Sequence, residues 1–129
     1  MRLIVGGAYQ GKRVHVMQNY GIREDEITDG AGIDAGSKDI IDRFKCISNF
    51  HILIRNILEA GKDPMEVTER ILVENPKVVI LMDEVGNGII PMEYAERIWR
   101  EQVGKCGCLL AAHAESVERI VCGIATRIK

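Results

Sequence analysis

The sequence predicts an α/β fold in which a mostly parallel sheet is flanked by helices. Short apolar runs typical of buried strands alternate with longer segments that repeat apolar residues at helical spacing. The run from Val78 to Met82 is apolar throughout, which indicates a strand buried on both faces, as in a parallel sheet between helices. With 129 residues, the chain has the length expected of one domain, residues 1–129.

The N-terminal part is predicted as strand, loop, helix and strand. Residues 2–7, R-L-I-V-G-G, form a short apolar run that ends in glycines, as a buried first strand does. A helix is predicted at about 14–21, where apolar residues recur at helical spacing before a glycine. A short strand at 26–30 and a loop rich in Gly, Asp and Ser at 31–39 follow.

The remainder is predicted as two helices, a strand, a long helix and a final strand. Asp63 can cap the second of these helices, with Pro64 in its first turn, and Pro91 can open the long helix. The expected elements are a helix from about Ile40 to Gly61, a helix from Asp63 to Asn75, a strand at 77–84, a helix from about Met92 towards Ala114, and a strand with a short tail at 117–129.

Residues 6–13 read G-G-A-Y-Q-G-K-R, between a predicted strand and a predicted helix. The phosphate loop pattern is G-x-x-x-x-G-K followed by Ser or Thr, so only the last position departs from it. Backbone N–H groups and the helix N-terminus can surround an anion there, and a lysine adds a positive charge. An ordinary strand-to-helix turn is the alternative. The residues predicted to bind nucleotide are Gly6, Gly7, Ala8, Tyr9, Gln10, Gly11, Lys12 and Arg13.

Arg13 occupies the position whose hydroxyl normally ligates Mg²⁺, and an arginine cannot ligate a cation. Either another group holds the metal, or the loop binds nucleotide without efficient transfer. Asp83 and Glu84 follow the clearest strand, at the end of a parallel sheet where ligands bind. Asp83 is therefore the candidate Mg²⁺ ligand, and Glu84 a candidate to orient a nucleophile, whereas solvated strand-end acids are the alternative.

Composition excludes several classes of function. The net charge of −2 favours neither nucleic acid nor an anionic membrane surface as a partner. The apolar runs are far shorter than the roughly 20 residues that span a bilayer. The N-terminus lacks the features of a signal peptide, so we expect a cytoplasmic protein. The four cysteines are too few and too irregular in spacing for a disulfide scaffold.

Four segments are similar to motifs of one enzyme family. Residues 83–91, D-E-V-G-N-G-I-I-P, are similar to N-E-V-G-x-G-I/V-V-P, and residues 6–13 to G-G-x-x-x-G-K-S. Residues 100–111 are similar to R-D-x-x-G-x-x-N-Q-x-L-A, and residues 117–129 to V-x-x-V-x-A-G-I/L-x-x-x-I/L-K. The sequence thus resembles the bifunctional adenosylcobinamide kinase/adenosylcobinamide-phosphate guanylyltransferase family.

The resemblance implies a RecA-like P-loop fold and an enzyme that phosphorylates a cobinamide hydroxyl with GTP or ATP in cobalamin biosynthesis. It also implies GMP transfer through a guanylylated histidine, whose H-x-x-x-R context is matched here by His51 and Arg55. We expect His51 not to accept nucleotide, since it lies on the apolar face of a predicted helix. Asp83 stands where the family has Asn, so it can compensate as a Mg²⁺ ligand for the hydroxyl missing at Arg13.

Two functions remain open. The first is a kinase-type phosphotransferase: Lys12 would neutralise charge on the transferred group, Asp83 would hold the metal, and Glu84 would orient or deprotonate the acceptor. The second is a non-catalytic nucleotide-binding module that acts through a protein partner. The expected ligands are a nucleoside triphosphate, Mg²⁺ and a cobinamide-type substrate, with no nucleic acid or membrane. The apolar C-terminal helix is consistent with a homo-oligomer.

Overall fold

A computed structural model describes residues 1–35, 41–86 and 93–129. Within them, the chain forms six strands and four α-helices. The strands are β1 (Arg2–Gly6), β2 (Ile27–Asp29), β3 (Cys46–Ser48), β4 (Val79–Asp83), β5 (Ser116–Val121) and β6 (Ile124–Arg127). The helices are α1 (Lys12–Asn19), α2 (Phe50–Glu59), α3 (Pro64–Glu74) and α4 (Tyr94–His113).

The strands form one sheet in the order β2-β3-β4-β1-β5-β6. All neighbouring strands are parallel except β5 and β6, which form an antiparallel hairpin at one edge. In β1, Gly6 is paired with Asp83 on one side and Ile120 on the other. The predicted α/β fold with a mostly parallel sheet is therefore confirmed, and the carboxyl ends of five strands meet at one edge.

The core lies on both faces of the sheet. In β4, Ile80 and Met82 pack in the larger cluster, which includes residues of α2, α3 and α4. Val79 and Leu81 pack in the smaller cluster, with Val16 of α1. The burial of β4 on both faces confirms the prediction made from its unbroken apolar run. No helix among the described residues has the length and hydropathy to cross a bilayer.

The prediction of one helix from about Ile40 to Gly61 was wrong over its first part. Residues Cys46–Ser48 form β3, which pairs with β2 and β4, and α2 begins only at Phe50. Ile47 and Phe50 are three residues apart, which fits a helical face equally well. The ladder with two neighbouring strands decides the conformation, because it satisfies backbone groups that are otherwise buried without partners.

The C-terminal end of the chain also differs from expectation. The predicted tail after β5 is strand β6, joined through Cys122 and Gly123, which both have positive φ, as a two-residue hairpin turn requires. The predicted cap of α3 is confirmed, since the Asp63 carboxylate accepts a hydrogen bond from the N–H of Met65 at 2.9 Å. Pro91 and Met92, predicted to open the long helix, and the loop residues 36–39 lie outside the described residues.

Candidate nucleotide site

The glycine-rich loop connects β1 to α1 at the carboxyl edge of the sheet. Gly11 caps the N-terminus of α1 with φ 97°, a conformation that favours glycine. A Cβ at Gly6 would lie 2.5 Å from the carbonyl oxygen of Ile120, so only glycine lets the loop leave the sheet at this point. The first N–H groups of α1 have no partner within the helix and face the site at which an anion would bind.

Gln10 fastens the loop to the β5–β6 hairpin. Its carbonyl oxygen accepts a hydrogen bond from the N–H of Gly123 at 2.8 Å, and its side-chain Oε1 accepts one from Cys122 at 2.7 Å. Tyr9, by contrast, is fully exposed at the tip of the loop. Through Gln10, the hairpin therefore holds one side of the loop in place. The loop pattern alone does not indicate this role of Gln10.

Lys12 is engaged by groups of the protein itself. Its Nζ donates to the carbonyl oxygens of Gly6 at 3.2 Å and Gly7 at 2.7 Å, and lies 2.6 Å from Oδ1 of Asp83. Only 11% of the Lys12 side chain and 19% of the Asp83 side chain are exposed. A phosphate that binds Lys12 must therefore compete with Asp83 for the same ammonium group.

Both ring nitrogens of His51, in α2, lie close to Asp83. Its Nδ1 accepts a hydrogen bond from the backbone N–H of Asp83 at 3.1 Å, which places its proton on Nε2, 3.5 Å from Oδ2 of Asp83. The indole N–H of Trp99 donates to the carbonyl oxygen of His51 at 2.7 Å. His51 is buried, and burial lowers its pKa. It is thus a hydrogen-bonded core histidine next to the site.

We expect His51 to make the protein less stable as the pH falls below about 6.5, the ordinary pKa of a histidine. Because the folded-state pKa is lowered, the unfolded chain takes up the proton first, and the free energy of unfolding decreases until the pH passes the folded pKa. One such proton changes stability by at most about 1.4 kcal/mol per pH unit. Urea unfolding of His51→Gln between pH 5 and 7 should show a shallower pH dependence than the wild type. His113→Gln, at an exposed histidine, is the matched control, and an unchanged slope in His51→Gln would contradict the assignment.

Arg13 points to the ends of β2 and β3. Its Nη1 donates to Oγ of Ser48 at 3.4 Å, and its Nη2 lies 4.0 Å from Oε1 of Glu24. Nearby, the side-chain amide of Asn49 donates to Asp29 at 3.0 Å, and this bond is the main cause that lowers the pKa of Asp29. The position of Ser48 and Asn49 beside the cleft was not predicted from the sequence, because β3 itself was predicted as helix.

Glu84 is paired with an arginine that was not predicted from the sequence as a site residue. Both oxygens of Glu84 accept hydrogen bonds from Arg119 of β5, at 2.7 and 3.0 Å. The backbone N–H of Glu84 donates to the carbonyl oxygen of Gly6 at 3.0 Å, which fixes Glu84 beside the start of the loop. This contact cannot be predicted from a single arginine in a strand. It depends on the pairing of β1 with both β4 and β5.

A cleft of about 510 Å³ lies in front of these groups, a size typical of small-molecule sites. It is lined by residues 8–14 of the loop and α1, and by Ser48, Asn49, Leu81 and Asp83. The structure thus brings residues 8–13 of the predicted loop and Asp83 to one cleft, whereas Gly6 and Gly7 do not line it. Glu84 is beside the loop but does not line that cleft.

The fit of a Mg²⁺ ion depends on Asp83. Among the described residues, no three His, Cys, Asp or Glu side chains come close enough together to hold a metal ion by themselves. Mg²⁺ bound with a nucleotide commonly takes one or two carboxylates together with phosphate oxygens and water. Asp83 would fit that donor set if Lys12 moved from its carboxylate to a phosphate.

A search of curated proteins found no match. The family model described as cobinamide kinase / cobinamide phosphate guanyltransferase matches residues 40–128, more than two thirds of the chain. The match begins after the glycine-rich loop, so it is independent of the loop's own pattern. It confirms the resemblance and the RecA-like P-loop fold that the resemblance implied. The chain belongs to the cobinamide kinase / cobinamide phosphate guanyltransferase family.

Proposed function

We propose that the protein binds GTP or ATP on residues 6–13 and transfers the terminal phosphoryl group to the hydroxyl of a cobinamide-type acceptor in cobalamin biosynthesis. The observation that carries the proposal is the placement of the loop, Lys12 and Asp83 around one cleft at the carboxyl edge of the sheet. Membership of a kinase/guanyltransferase family supplies the reaction class.

Lys12 and Asp83 have linked functions in this proposal. An incoming triphosphate offers Lys12 several anionic oxygens in place of one carboxylate, and charge-assisted hydrogen bonds to phosphate are strong. When Lys12 moves to the phosphate, Asp83 loses its cation and becomes available to hold Mg²⁺. A bound Mg²⁺ would neutralise charge on the phosphates. Lys12 stabilises the charge on the transferred phosphoryl group.

Glu84 is the candidate to orient or deprotonate the acceptor hydroxyl. In the structure, both of its oxygens are occupied by Arg119, whose side chain is half exposed. The pair holds Glu84 at the edge of the sheet, beside the start of the phosphate loop. An acceptor hydroxyl that displaces one hydrogen bond of Arg119 would meet a carboxylate already positioned by the other.

The protein is proposed to lack the guanylyl-transfer step. His51, the histidine that best fits the family's nucleotide-accepting context, is only 6% exposed, and its Nδ1 is hydrogen bonded to the backbone of Asp83. A covalent acceptor must reach the α-phosphate with a free ring nitrogen. Both the burial of His51 and its hydrogen bonds oppose that reaction.

A turnover assay with cobinamide, Mg²⁺ and labelled nucleotide tests the proposal. With γ-labelled GTP or ATP, we expect label on cobinamide, and with α-labelled GTP we expect no label on the protein. Protein-bound GMP that disappears in His51→Ala would restore the bifunctional activity. Triphosphate binding without any transfer to cobinamide would contradict the kinase proposal.

The second candidate function is a non-catalytic nucleotide-binding module that acts through a protein partner. It is favoured by the ion pairs of both catalytic candidates, Lys12 with Asp83 and Glu84 with Arg119, and by the arginine at position 13. The same assay separates the two functions, because a module of this kind would bind the triphosphate and leave cobinamide unlabelled.

A further inference from the structure

We infer that Arg13 is a second cationic phosphate ligand, which lets the site bind a nucleoside triphosphate with little dependence on Mg²⁺. The inference rests on the proposed function, since it concerns the triphosphate bound at the same loop. It adds a role for the one residue that departs from the phosphate loop pattern.

Arg13 lies where a second phosphate contact can form. It is in the first turn of α1, directly after Lys12, and lines the same cleft. Its side chain is 46% exposed, whereas that of Lys12 is only 11% exposed. A phosphate that enters the cleft can therefore reach the guanidinium of Arg13 without first displacing a buried ion pair.

The present partners of Arg13 are weak. Its hydrogen bond to Ser48 is long, at 3.4 Å, and the ion pair with Glu24 is 4.0 Å long with a Glu24 side chain that is 77% exposed. A long hydrogen bond and a long ion pair with an exposed carboxylate each contribute little. A guanidinium forms two parallel charge-assisted hydrogen bonds with a phosphate, so exchange of these partners for a phosphate is favourable.

The positive charge of Arg13 reduces the contribution that Mg²⁺ must make to triphosphate binding. In the usual phosphate loop, a hydroxyl at this position ligates Mg²⁺, and the metal offsets the charge of the triphosphate. Arg13 offers no ligand to the metal and repels it, but it offsets phosphate charge itself. The positive charges of Arg13 and Lys12 together offset the triphosphate charge that Mg²⁺ offsets in the usual phosphate loop. Asp83 remains the group that can hold Mg²⁺ for phosphoryl transfer.

Isothermal titration of the full chain with ATP and GTP, in excess EDTA and in Mg²⁺, tests the inference. For the wild type, we expect the metal-free dissociation constant to lie within roughly threefold of the value in Mg²⁺. Arg13→Ser should weaken metal-free binding about tenfold, since it loses a charge-assisted contact, and should bind more tightly in Mg²⁺ than in EDTA. Arg13→Lys should retain part of the metal-free affinity. Arg23→Ser, which removes an exposed arginine outside the cleft, is the matched control.

Each outcome has a separate meaning once circular dichroism has shown that the variants are folded. Metal-free binding that is unchanged in Arg13→Ser overturns the inference. Wild-type binding that occurs only in Mg²⁺ also overturns the inference, but it leaves the proposed function standing. If neither nucleotide binds in either buffer, the proposed function and the inference both fail.

Discussion

Lys12→Ala is expected to weaken the binding of GTP and ATP by roughly 1–3 kcal/mol, because the triphosphate loses a charge-assisted contact. The loss combines two opposing contributions. The phosphate loses its ammonium partner, but the protein no longer has to break the 2.6 Å pair between Lys12 and Asp83 before binding. Isothermal titration of wild type and variant, in EDTA and in Mg²⁺, measures the difference.

The same substitution leaves the Asp83 carboxylate without its cation in a half-buried position, so loss of stability has to be separated from loss of binding. The double variant Lys12→Ala/Asp83→Asn removes that unpaired charge and should recover stability without recovering affinity. Lys105→Ala, at an exposed lysine paired with Glu101 on α4, controls for loss of one positive charge. Unchanged affinity in a folded Lys12→Ala protein would mean that residues 6–13 are not a phosphate site.

Asp83→Asn is expected to change binding and transfer in opposite directions. Without Mg²⁺, the variant should bind a triphosphate more tightly than the wild type, because the carboxylate that competes for Lys12 has been removed. Phosphoryl transfer to cobinamide should fall by roughly 100-fold or more, because the site loses a ligand of the metal ion that would supply several kcal/mol of stabilisation to the developing charge. Titration in EDTA and the turnover assay in Mg²⁺ report the two effects separately.

A double-mutant cycle with Arg13→Ser extends this test. Asp83→Asn should lower Mg²⁺-dependent phosphoryl transfer to cobinamide, and the loss should be smaller when serine at position 13 supplies a ligand of its own. Neighbouring groups in one network couple by about 0.5–3 kcal/mol. Strictly additive effects would show that the two positions act independently. If neither variant alters the Mg²⁺ dependence of phosphoryl transfer, the metal does not bind at Asp83.

Local features of the sequence determined much of the fold. The five consecutive apolar residues of β4, the cap formed by Asp63 and the glycines around Lys12 are each specified by neighbours within a few residues. A strand buried on both faces, a capped helix start and a left-handed turn at Gly11 need no information from distant parts of the chain. The loop between β1 and α1 could therefore be predicted from a short stretch of sequence.

The tertiary structure decided the three-residue strand β3 and the ion pairs of the site. Ile47 and Phe50 have the spacing of a helix, and only pairing with β2 and β4 makes Cys46–Ser48 a strand. The contacts of Lys12 with Asp83, and of Glu84 with Arg119, join residues on different elements. They form because hydrogen-bonded parallel strands bring their carboxyl ends to one edge in a fixed register, and that register is set by the packing of the whole sheet rather than by any local pattern.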